Sequence, residues 1–118
     1  MSLEKDLRPI KLLLRQRKGS MKRIDAQEKL YGKDMPQYYV DKRERTAEQW
    51  RVRIMKEINN YVSGAEVCLK MLQTSPLHRD TPTERRRRRK EVERWERRVE
   101  KLHAFKTKTE MEVANYAK

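Results

Sequence analysis

The sequence predicts an all-α fold, a long antiparallel, coiled-coil-like helical hairpin preceded by two short basic helices and an irregular linker. Three observations predict it. Trp50, Ile54, Ile58, Tyr61, Ala65, Cys68 and Leu72 recur at steps of three and four, the interval of one helix face. Val92, Trp95, Val99 and Leu102 repeat that interval further on. Apolar residues make up 36% of the 118 residues and charged residues 42%, too lean for a large core but sufficient for helices that bury a stripe. The expected organisation is a basic N-terminal arm over residues 1–45 and the hairpin over 46–118.

In chain order, Leu7, Ile10, Leu13 and Leu14 share a helical face that Leu12 widens, and Pro9 is tolerable only in a first turn. Gly19 and Ser20 read as a stop and a new N-cap, followed by a second short helix over 21–31 that Gly32 ends. Gly32, Asp34 and Pro36 then break the pattern, and Tyr38, Tyr39 and Val40 read as an extended or irregular link. Paired tyrosines beside Lys42, Arg43 and Arg45 are able to stack on bases, but the expectation is that they pack the link onto neighbouring helices. Thr46 and Gln49 match a capping box, so the first long helix is expected to start at Thr46 and to end near Gln73. Val52, Met55, Val62 and Leu69 broaden its stripe, and Gly64 sits inside it. Cys68 reads as a small buried apolar group.

The connector TSPLHRD over 74–80 is short, and Pro76 blocks helix continuation, which makes the flanking helices antiparallel neighbours. The second long helix opens with Thr81 as N-cap, Pro82 at the first helical position and Glu84 at the third. Its seam runs from Val92 through Leu102 and on through Lys106, Thr109, Val113 and Tyr116. Traced backwards, the same line meets Arg85 and Arg88, so the seam stops where an arginine block begins.

That block, Arg85, Arg86, Arg87, Arg88, Arg89 and Lys90, is the strongest functional signal in the sequence. Its side chains surround the axis within two turns, repel at i,i+4, and stand near the positive end of the helix dipole. A nearby polyphosphate reverses both penalties. From Arg85 to Lys101 there are ten basic residues and four acidic ones, so internal pairing cannot neutralise the block. A second basic run, Arg8, Lys11, Arg15, Arg17, Lys18, Lys22 and Arg23, contains no acidic residue. The formal net charge is +13 and the pI about 10.1. Such an excess seeks RNA, DNA, an acidic protein or an anionic membrane surface. The apolar face of the arm is short and lacks Trp and Phe, which disfavours the membrane.

No nucleophile motif, Gly-rich phosphate loop, paired-carboxylate arrangement or metal-spaced Cys/His cluster occurs, and there are three glycines in all. An enzyme, a small-molecule substrate and a cofactor are therefore not expected. One cysteine permits no intrachain disulfide, and the sequence has neither a signal-peptide apolar region nor an ~18-residue apolar span. An intracellular site, mitochondrion or nucleus, is expected. The arginine block also has the form of a nuclear-localisation signal.

The stretch LKMLQTSPLHRDTPTERRRRRKEVERWERR resembles the helical hairpin of lentiviral Rev regulators, in which an arginine-rich second helix with a Trp binds RNA. The resemblance covers about a quarter of the chain, and Glu91, Glu93, Glu96 and Glu100 depart from the pattern. The Rev function is not carried over to this chain. The series of small basic helices is similar in general look to accessory proteins of organellar ribosomes. The expectation is a non-enzymatic, RNA-contacting structural subunit of a ribonucleoprotein assembly, with RNA or another polyanion and neighbouring protein subunits as partners. The alternative is a helical scaffold subunit of a protein-only complex, respiratory, cytoskeletal or motor, whose charge meets acidic partners or lipid headgroups.

Overall fold

The computed structural model describes residues 3–116, without the side chains of residues 4, 115 and 116; the side chain of Tyr116, expected at the end of the seam, thus lies outside what is described. The protein is all-helical, with no strand among the described residues. Helix α1 spans Leu3–Asp6, α2 Arg8–Tyr31, α3 Gln37–Thr74 and α4 Pro82–Tyr116, with a 3-10 turn at Gly32–Asp34. The chain divides into two compact units, Met1–Glu57 with Lys108–Lys118, and Ile58–Thr107. Residues 45 and 46, on either side of the expected boundary, both lie within α3.

Residues 8–31 form one helix, α2, where a stop at Gly19 and a second helix over 21–31 were expected. Leu13, Arg17, Met21 and Ile24 are buried along α2 at steps of four, four and three, so a single face runs through Gly19. Burial of that face outweighs the ~1 kcal/mol propensity cost of one interior glycine. Gly32 does stop the helix: it takes φ 60°, and its N–H donates to the Glu28 carbonyl. Pro9 sits in the first turn of α2, where its missing N–H has no intrahelical acceptor to lose.

The irregular link is helical too. Pro36 directly precedes α3, and the Tyr39 N–H donates to the Pro36 carbonyl at 3.0 Å. Thr46 is therefore an interior residue and caps nothing. The tyrosines clasp the turn between α2 and α3: the Tyr31 hydroxyl donates to Tyr39 Oη at 3.2 Å, and the two rings lie 4.9 Å apart. Arg43 on α3 reaches back to Glu28 at 3.2 Å and Asp25 at 3.7 Å on α2. Ala47 packs with Met21 and Ile24, its small side chain letting the two helices approach. Leu7, Ile10, Ile54 and Val113 are the other large or branched residues closed off in this unit, and Thr109 joins them at 1% exposure. Leu12, expected to widen the apolar face, is instead 55% exposed.

In the second unit, Ile58, Val62, Ala65 and Leu102 are buried. Val92, Trp95 and Val99 are half-buried along the line the spacing predicted. Cys68 is exposed, a correction to its expected burial; it stands at the margin of the Ile58–Val62–Ala65 face. Gly64 continues the helix with nothing within 4 Å of a Cβ placed on it. The start of α4 is as its sequence predicts, with the Glu84 N–H donating to Thr81 Oγ1 at 3.2 Å.

Candidate polyanion-contact surfaces

Each unit sorts its basic residues into committed and uncommitted ones. Neither α3 nor α4 has a basic residue in its last turn. The last carbonyls of a helix lack intrahelical donors and carry the negative end of its dipole. Two arginines supply what the local sequence omits. In the second unit, Arg88 Nη1 donates to the carbonyls of Leu72 at 2.6 Å and Ser75 at 2.8 Å, where α3 ends. In the first unit, Arg17 Nη2 donates to the carbonyls of Val113 at 3.2 Å and Glu112 at 3.3 Å, in and just before the last turn of α4.

Arg17 is 1% exposed, which corrects its place among the expected phosphate contacts. A guanidinium sealed between α2 and the end of α4 cannot reach a ligand in solvent. The physical reason is its position: it falls between Leu13 and Met21 on the core face, and its long stem carries the charge to the α4 carbonyls. The spacing of Ile10, Leu13, Met21 and Ile24 already put residue 17 on that face.

The arginine block is likewise divided. Arg88 is half-buried on its carbonyls, Arg85 pairs with Asp80 at 3.2 Å, and Arg87 with Glu84 at 3.7 Å. Arg86, Arg89 and Lys90 are exposed and make no ion pair or hydrogen bond among the described residues. Arg94, Arg97 and Lys101 extend the outward line of Arg86 and Lys90 at helical steps, and all are exposed. The three-and-four spacing that marks the seam also marks this outward line. A depression of about 550 Å³ opens beside the block, lined by Leu72, Leu77, Val92, Arg88, Glu93 and Glu96 among others. Its carboxylates make it a poor seat for a phosphate.

In the first unit, Arg8, Lys11, Arg15, Lys18, Lys22 and Arg23 are exposed and also unpartnered among the described residues. Acidic side chains of α2 are used elsewhere, Asp25 and Glu28 on Arg43. Trp50 and Trp95 are half-buried, with the guanidinium of Arg53 5.7 Å from the Trp50 ring centre and that of Arg98 5.4 Å from the Trp95 ring centre. Those rings are occupied within the chain by packing and cation–π contact. No described helix is long and apolar enough to cross a membrane.

No protein-family model, no curated protein and no solved structure matches this chain.

Proposed function

We propose that the protein is a non-enzymatic structural subunit of a ribonucleoprotein assembly that contacts RNA through its phosphate backbone. The observation that carries this reading is the sorting of cations. Where a guanidinium has an internal use, as at Arg17 and Arg88, it is turned inward; Arg85 and Arg87 pair with Asp80 and Glu84, and the other cations of both basic runs stand in solvent unpaired among the described residues. Exposed cations kept unpaired at such density raise the self-repulsion of the folded chain, and a polyanion relieves it. Arg8, Lys11, Arg15, Lys18, Lys22 and Arg23 in one unit, with Arg86, Arg89 and Lys90 in the other, are the contacts of this reading. Within the second unit the two helical segments form an antiparallel hairpin, an arrangement supported by the Arg88–Leu72 and His103–Glu66 pairs. The compartment of this reading is mitochondrial or nuclear.

A protein-only scaffold is the second reading, favoured by one feature. Val67 and Met71 are 57% and 60% exposed on the side of α3 away from Ile58 and Ala65, as a face awaiting a protein neighbour would be.

The test is RNA affinity as a function of salt. Binding with a slope that flattens when Arg86, Arg89 and Lys90, or the basic residues of α2, are changed to Gln supports the first reading. Absence of RNA binding at about 100 mM salt, with a protein partner retained, overturns it in favour of the second.

A further inference from the structure

We infer that the outward face of α2 is a single-strand phosphate ladder. Arg8, Lys11, Arg15, Lys18 and Lys22 follow one another at steps of three, four, three and four. At 100° per residue these positions stay within a sector of about 80°, roughly opposite the buried line of Ile10, Leu13, Arg17, Met21 and Ile24. The cations therefore form one row along the helix, about 5 Å apart on average and about 21 Å from end to end. All five are exposed, and none is paired among the described residues.

The inference rests on the RNA reading above and sharpens it in two respects: which surface leads, and which form of nucleic acid it takes. The α4 block is the more conspicuous in sequence, but Asp80 and Glu84 engage two of its arginines, and Arg88 caps α3. Glu93 and Glu100 also border its outward line. No acidic residue lies between Arg8 and Arg23, so the α2 row presents its full charge.

Two features select a single strand. The phosphates of a duplex strand wind away from a straight row, whereas a single strand stretches or coils until successive phosphates meet successive cations. The row also has an apolar floor. Arg8, Pro9, Lys11, Leu12 and Arg15 line a shallow depression of about 540 Å³. Leu12, 55% exposed, offers a surface against which an unpaired base face or ribose can lie while phosphates remain on the cations. Paired bases in a duplex keep those faces stacked on one another.

The experiment measures binding of the full chain to a labelled oligouridylate long enough to span the row, and to an RNA duplex of equal length, between about 50 and 200 mM salt. Five single-strand phosphates contribute a slope of about −3.5 in log K against log salt, at about 0.7 each. Changing all five residues to Gln is expected to remove that contribution of about 3.5, whereas changing Arg86, Arg89 and Lys90 to Gln is expected to flatten the slope by no more than about 2 and to leave the α2 share in place. Lys18→Gln alone, a mild change at an exposed position, is expected to flatten the slope by about 0.7. Circular dichroism checks that each variant stays helical. Leu12→Gln is expected to weaken the single strand and leave the slope unchanged.

Binding and slope that survive the α2 changes but vanish with the α4 changes overturn the ladder and leave the RNA reading standing. Duplex bound as tightly as oligouridylate overturns the single-strand assignment. Failure to bind either RNA, or capture only by phosphatidylserine vesicles, overturns the ladder and the RNA reading together.

Discussion

Arg88 places its Nη1 2.6 Å from the carbonyl oxygen of Leu72, so the most charged stretch of the chain closes the end of another helix. The same nitrogen lies 2.8 Å from the Ser75 carbonyl, and α3 has no basic residue of its own in its last turn. A cation at this position meets both the orphan carbonyls and the negative pole of the helix. Its neighbours in sequence meet neither.

That contrast separates Arg88 from the rest of the block in a stability measurement. Arg88→Gln is expected to cost about 1–2 kcal/mol in urea unfolding, from the lost charge-assisted bonds. Arg86→Gln and Arg89→Gln are expected to stay within about 0.5 kcal/mol of the parent, as exposed substitutions do. Equal losses at all three positions would remove the special role of Arg88.

Arg17 is the counterpart in the first unit. Arg17→Met keeps much of the buried stem but leaves the Val113 carbonyl without this donor, for an expected loss of about 1–3 kcal/mol. RNA affinity of the folded variant is expected to equal that of the parent, since the guanidinium is 1% exposed. A drop in affinity without a drop in stability would return Arg17 to the binding surface.

The two glycines of the first unit should respond with opposite signs. Gly19 lies inside α2, without a positive φ and with nothing within 4 Å of an added Cβ. Gly19→Ala is expected to stabilise by about 0.5–1 kcal/mol. Gly32 holds φ +60° at the helix end, so Gly32→Ala is expected to destabilise by about 1 kcal/mol or more. Thermal unfolding of the two variants measures both signs.

The Tyr31 hydroxyl should titrate late. Its hydrogen bond to Tyr39, then the repulsion of a second phenolate, then slight burial raise its pKa above the ordinary tyrosine value of about 10. The folded state thus favours the protonated form. The associated stability is fully present below the unfolded-state pKa and is lost as pH rises through the folded one. Phenolate absorbance is expected to show one late tyrosine that Tyr39→Phe brings back towards normal.

Much of the helical architecture was legible in the order of residues. The three-and-four spacing identified Ile54, Ile58, Ala65, Leu102 and Val113 as inward positions, and all five are buried. It also placed Thr109 on the α4 seam, where a polar residue is buried at 1% exposure. Thr81 starts its helix and Gly32 ends one, because an N-cap hydroxyl and a positive φ act within a few residues. Local signals misled where burial competed with them: Gly19 is carried through by Leu13, Met21 and Ile24, and the Thr46–Gln49 box is overridden by a helix already running from Gln37.

By itself, then, the sequence determined that the chain is helical, which line of residues forms most of its inward face, and that its charge is strongly positive. Those properties follow from periodicity, capping chemistry and composition, all written within one turn or summed over the chain. Only the tertiary structure decided which cations are already spoken for. Arg17 lies 96 residues from Val113, and Arg88 lies 16 from Leu72. A spacing rule gives the side of a helix on which an arginine stands, but the carbonyl that meets it there is brought by folding.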